Sequence, residues 1–198
     1  MNHQILPDQT LDQLFRLARS HNGWQDREVT DAQLRQIYEL MKMGPTSLNT
    51  CPARIVFIKT QAAKQRLKTC LNEGNINKSM TAPVVALIGM DLEFYNKLNK
   101  LWPHAQEAPN WYIGKPDKIK ETAFRNSALQ GAYFILAVRS LGLDAGPMSG
   151  FDADKMNATF FPDGTIKSNF ICAIGYGDES KLYPRGPRLE FDEVCTVI

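Results

Sequence analysis

Gly131-Ala-Tyr-Phe-Ile-Leu-Ala-Val138, and a little further on Gly146-Pro147-Met148-Ser149-Gly150-Phe151-Asp152, are the stretch on which the reading of this chain turns. The first run leaves no polar stripe, so the helix carrying it, from about Glu121, is expected to be buried rather than amphipathic. The second reads as a tight turn. Pro147 stiffens it, while Gly146 and Gly150 allow backbone geometries and close approaches that a Cβ would forbid. Such a turn can present bare peptide N–H groups to a flat ligand, which points to chemistry carried by a bound cofactor. The competing reading is an ordinary helix stop at Gly142 or Gly146.

Outward from this stretch, the 198 residues, 43% of them hydrophobic, suffice for one sizeable core and leave little length for two. No linker, composition shift or internal repeat divides the chain, so one domain over residues 1–198 is expected. A net charge of +2, with no aromatics interleaved in a basic patch, argues against nucleic acid as a partner. The apolar run from Gly131 is far shorter than the roughly 18 residues a membrane span needs. Met1 to Thr10 is polar and lacks the apolar core of a secretory signal. Cys51, Cys70, Cys172 and Cys195 form no CxxC and no metal-like spacing. They read as reduced thiols of a cytoplasmic protein, with no membrane partner and no metal.

Periodicity supplies the remaining elements. Leu11, Leu14, Phe15 and Ala18 suggest a first helix stopping near Ser20. A second helix is capped by Thr30 or Asp31, lined by Leu34, Ile37, Tyr38 and Met41, and ended by Gly44-Pro45. Residues Arg54–Lys59 read as a strand, followed by a helix with Leu67, Cys70 and Leu71 inward. Pro83–Met90 is a continuous apolar strand, as expected for a sheet covered on both faces. Asp152 can cap a short helix, Pro162-Asp163-Gly164 turns, and Asn169–Tyr176 is the last strand. The pattern predicts an α+β or three-layer arrangement with few strands.

Several familiar sites are absent. There is no GxxxxGK[ST] loop and no GxGxxG after a strand, since Gly175-Tyr-Gly177 lacks a third glycine. His3, His21 and His104 are scattered and read as surface or satisfied core histidines. Four segments remain: Ala18-Arg-Ser-His-Asn-Gly-Trp24, Gly44-Pro-Thr-Ser-Leu-Asn-Thr-Cys-Pro-Ala-Arg54, Gly146–Asp152 and Leu182-Tyr-Pro-Arg-Gly-Pro-Arg-Leu189. Their order and content, over essentially the whole chain, resemble the flavin-dependent nitroreductase family. Asn22-Gly-Trp24, Cys51-Pro-Ala-Arg54, Thr122-Ala-Phe-Arg-Asn-Ser127 and the Gly146 segment are similar to one branch, which reduces malonic semialdehyde to 3-hydroxypropanoate in bacterial uracil breakdown.

The resemblance implies a nitroreductase-like three-layer α/β/α sandwich with a mostly antiparallel central sheet and a buried central helix. It implies FMN as cofactor, NADH or NADPH as hydride donor, and alternating hydride transfer through flavin N5, with no catalytic side chain assigned. The phosphate would meet Arg19, Ser20, Arg188 and, as helper, Arg185. Two departures stand out: Ala18 and Asn22 occupy positions where similar proteins carry arginines. Ser47 and Asn49 would contact the isoalloxazine and ribityl chain, with Pro45 and Thr46 framing that cofactor-binding loop. Asn75 and Lys78 would lie at the uracil-like edge, where a cation stabilises reduced flavin. Ser149 and Gly150 N–H groups would reach N5 and O4, with Pro147 and Met148 against the ring. The aromatic stretch from Asp91 to Pro116, with Trp102 and Trp111 as tentative substrate contacts, falls where the family places a lid; a dimer contact is the alternative. Arg125 is either a substrate-carboxylate cation or half of a structural ion pair. A homodimer with FMN at the subunit interface is implied too. A broad nitro, quinone or enone reductase and a non-catalytic FMN-binding protein remain the rival readings.

Overall fold

The computed structural model describes residues 3–198; the first two positions of the polar opening read from Met1 lie outside the described residues. In chain order the helices are α1 (Asp8–Leu11), α2 (Asp31–Met41), α3 (Gln61–Lys68), α4 (Glu73–Thr81), α5 (Leu98–Leu101), α6 (Pro116–Ser140), α7 (Ala153–Phe160) and α8 (Phe191–Val194). The strands are β1 (Ala53–Ile58), β2 (Val84–Asp91), β3 (Asp144–Met148) and β4 (Ile166–Gly175). They form one sheet in the order β1-β2-β4-β3, with every pairing antiparallel.

β2 is buried along its whole length because both of its faces are covered. Its side chains alternate across the sheet. Val84, Ala86 and Ile88 join the core made with Ile37 and Met41 of α2 and Phe134 and Val138 of α6. Val85 and Leu87 point the other way, into a core with Leu67 of α3 and Met156 of α7. Helices thus cover both sheet faces, giving the expected α/β/α sandwich. The caps follow the sequence. Thr30 closes a capping box with Gln33, and Asp152 accepts from the Lys155 N–H. α6 ends where Gly142 turns at φ 72°, with its N–H bonding Arg139 O at 3.0 Å and the Leu143 N–H bonding Val138 O at 3.2 Å. Gly142 is therefore the helix stop, not Gly146.

Four expectations need correction. α6 is not buried all round, because it packs on the sheet through one face only. Ala123, Asn126, Gln130 and Phe134 are buried, whereas Phe124 and Leu129 are 54% and 41% exposed. Gly146-Pro147-Met148 is not a turn but the end of β3, paired with Ala173, Cys172 and Ile171. Proline is tolerated there because β3 is an edge strand, and the turn proper starts at Ser149. The first helix does not reach Ser20: α1 runs into a π-turn at Asp12–Arg16, and Ser20 is already bridged to Ala145. Tyr38 faces out, 51% exposed.

The aromatic stretch after β2 builds a small core of its own. Phe94 and Tyr112 are buried with Leu98 and Ala108, their rings edge-on at 4.9 Å, and Trp102, Trp111 and Leu48 pack around them.

Candidate functional site

The segment Arg19–Trp24 lies along the outer edge of β3. Ser20 bridges Ala145, the His21 N–H bonds Ala145 O at 3.2 Å, and Trp24 bridges Gly177. His21 is buried, with Nε2 3.3 Å from Asp144 Oδ1, while Asp144 Oδ2 accepts the Gly177 N–H at 2.8 Å. Glycine is required on both sides of this histidine. A Cβ on Gly177 would sit 2.0 Å from the ring, and one on Gly146 would sit 2.5 Å from His21 O. Burial would raise the Asp144 carboxyl, but hydrogen bonds from His21 and Gly177, with the His21 and Arg139 charges, outweigh it and hold the group below its ordinary value.

In front of this wall lies a cleft of about 450 Å³. Arg19, Ser20, Asn22, Lys78, Pro147, Arg185 and Arg188 all line it, and Arg139 joins them. The expected phosphate residues from opposite ends of the chain are therefore together. Arg19 donates to Tyr183 O and Arg185 donates back to Ala18 O at 2.9 Å, so the C-terminal segment is strapped to the N-terminal one. Five cations line the cleft and no carboxylate does. Burial pushes the Lys78 ammonium below its usual value.

Pro147 is the last residue of its segment to line the cleft, and the turn at Ser149–Gly150 comes two residues later. Asn75 Nδ2 donates to Gly150 O at 2.8 Å and the Asn72 N–H donates to the same oxygen at 3.1 Å. Trp24 Nε1 donates to Lys78 O at 2.9 Å, which ties α4 to the N-terminal segment. A Cβ on Gly150 would stand 2.6 Å from Asn75 Nδ2, so glycine is what lets the amide close on the turn. The Ser149 and Gly150 N–H groups have no acceptor among the described residues. Met148 is buried beneath them, with the Ser79 hydroxyl 3.8 Å from its sulfur.

Pro45, Thr46, Ser47 and Asn49 are not lining residues of this cleft; Asn49 lines another cavity, of about 610 Å³. Their loop holds three non-glycine residues at positive φ: Leu48 at 50°, Asn49 at 50° and Cys51 at 40°. Such backbone persists only where its surroundings over-determine it. Here α6 does so. Asn126 Oδ1 accepts the Ser47 N–H at 2.8 Å, Gln130 Oε1 accepts the Ala53 N–H at 2.8 Å, and Tyr133 donates to Pro45 O at 3.0 Å. Within the loop, the Cys51 N–H bonds Thr46 Oγ1 at 3.2 Å, and Asn49 donates outward to Leu101 O of α5 at 2.9 Å. Sequence reading missed Asn126, Gln130 and Tyr133. Two amides one turn apart, Asn126 and Gln130, on the helix face that turns inward were the available signal.

Arg125 is exposed and paired with Glu121 one turn earlier, which is the structural reading. Trp102 and Trp111 belong to the aromatic satellite core, with the Trp102 ring 5.5 Å from His104, and they do not line the cationic cleft.

Fold and cleft together define a three-layer α/β/α protein with a cationic edge beside β3. The chain belongs to the nitroreductase family, whose model matches residues 4–177. It is 59% identical over 194 residues to a protein of Polynucleobacter asymbioticus provisionally named NADH dehydrogenase/NAD(P)H nitroreductase, covering 98% of both chains. A Burkholderia lata protein of the same provisional name is 54% identical, with 97% of this chain and 98% of that one covered. Among solved structures, a provisionally named nitroreductase of Bacillus subtilis superposes with a TM-score of 0.89 at 21% identity, covering 97% of this chain and 100% of the other. An Exiguobacterium sibiricum protein, crystallised with FMN, gives 0.85 at 18% identity over 100% of both chains.

Proposed function

We propose that this chain is an FMN-dependent NAD(P)H oxidoreductase that reduces malonic semialdehyde to 3-hydroxypropanoate. One observation carries the cofactor reading: five cations line one cleft, and two peptide N–H groups without internal acceptors follow directly after Pro147 and Met148 at its edge. The residues fit the group. Arg19, Ser20, Asn22, Arg185 and Arg188 would hold the phosphate, and Pro147 and Met148 would form the wall behind the ring. Asn75 spends its Nδ2 on Gly150 O and keeps Oδ1 for the ligand, beside Lys78. Ser149 and Gly150 would donate their N–H groups. When bound, FMN supplies hydride transfer through N5 between NADH or NADPH and the oxidised substrate.

Pro45, Thr46, Ser47 and Asn49 would be contributed by a second copy. Outward-facing Phe124 and Leu129 on α6, and Leu189, Phe191 and Val194 in the C-terminal arm, give a homodimer its apolar contact. The experiment is direct. Purified protein should show flavin absorption that NADH or NADPH bleaches without oxygen; colourless protein, or flavin that neither donor reduces, overturns the reading.

The names of the 59% and 54% identical relatives favour a second reading, a nitro reductase of broad range. Steady-state rates on malonic semialdehyde and on a nitroaromatic separate the two. A nitroaromatic turned over faster would remove malonic semialdehyde as the substrate.

A further inference from the structure

We propose that Arg139, in the last turn of α6, is a further phosphate-binding residue of the cationic cleft. The inference rests on the FMN reading above and assigns a residue that reading left out.

The guanidinium lines the cleft with Arg19, Lys78, Arg185 and Arg188. Its NH1 donates to Leu14 O at 2.9 Å, while Nε is shut off from solvent without a partner. A guanidinium carries five N–H donors in a planar fork, so one bond leaves most of them unused. No carboxylate lines the cleft; Asp144 behind it attracts Arg139 through space, but its hydrogen bonds go to His21 and the Gly177 N–H.

A cation in the last turn of a helix has a commoner explanation, attraction to the terminal carbonyls. Those carbonyls are already served. Arg139 O accepts the Gly142 N–H at 3.0 Å and Gln13 Nε2 at 2.6 Å, and Val138 O accepts the Leu143 N–H. Capping therefore does not need the side chain. What remains is a group of like charges in one small cavity, an arrangement that is repulsive until an anion enters. A phosphate dianion supplies several acceptor oxygens, and charge-assisted bonds to them are the strong kind.

The test compares FMN with riboflavin, which has the same ring and ribityl chain and lacks the phosphate. Flavin-free full-length protein is titrated with each by fluorescence quenching. In Arg139→Met, FMN affinity should fall on the order of tenfold or more while riboflavin affinity holds. Arg139→Lys should recover much of the loss. Equal weakening of both flavins, or unchanged FMN affinity, overturns the assignment and leaves the FMN reading standing. Wild-type protein that binds neither flavin overturns both.

Discussion

Arg188 donates only to the carbonyls of its neighbours Gly186 and Pro187, at 3.1 and 2.9 Å, so it holds nothing distant in place. Its removal should therefore fall on the ligand and not on folding. Arg188→Ala is expected to weaken FMN about tenfold while the melting temperature of flavin-free protein stays put. Unchanged FMN affinity in a titration would remove the residue from the phosphate site. Asp144 is the opposite case, a residue that supports the cleft wall from behind. Its pKa is depressed in the folded protein, so its contribution is present above the ordinary value of 3.8 and is lost as pH falls through the lower folded value. Asp144→Asn should destabilise the protein at pH 7 by no more than about 1 kcal/mol, since the carboxylate is 38% exposed and water screens it. Urea titrations of both proteins should converge as pH falls well below 3.8; a constant gap would show that the charge is not the cause. Arg19 and Arg188 were legible as candidates that share one cleft because they sit in short polar segments with a recognisable order. Arg139 was not, because a single basic residue at a helix end has an ordinary use, and only the folded chain shows that use already filled.

At the scale of elements, β2 was readable from composition alone, since a strand covered on both faces must be apolar throughout. The Gly146–Met148 stretch was misread because glycine and proline are turn formers almost everywhere except on an edge strand. That β3 is an edge is a fact of strand order, which local sequence does not carry. The loop from Pro45 to Ala53 shows the same limit. Its polar residues were legible as candidates, but its positive φ angles depend on amides that α6 presents from nearly eighty residues away. Asn126→Leu keeps the volume of the side chain and leaves the Ser47 N–H without its acceptor. It should cost about 1–2 kcal/mol in urea unfolding and make the loop susceptible to protease in the native protein. Asn126→Asp, which retains an acceptor, should keep the loop resistant. Equal cleavage of the two variants would mean that the strained backbone is held by its own bonds and not by α6.

Across the whole molecule, the candidate flavin residues fall into two sets. One set lines the cleft beside β3 or stands at the neighbouring Ser149–Gly150 turn, and the other stands on the strained loop, with Asn49 at a different cavity. A single copy that used both sets would have to join two separate cavities, and the loop set is held where it is by hydrogen bonds to α6. A second copy removes the conflict, because the loop of one chain can complete the cleft of its partner. Its apolar contact should include the outward face of α6, where Phe124 and Leu129 are 54% and 41% exposed. A charge placed on that face is harmless to a monomer, which already leaves the position in water, and costly to a dimer that dries it. Phe124→Glu is therefore expected to shift the solution mass from two chains toward one and to strip FMN in the same step, with the far-ultraviolet spectrum unchanged. Loss of flavin without dissociation would place Phe124 beside the ligand. A flavin-loaded monomer would show that one chain brings both sets together and that the two-copy site is wrong.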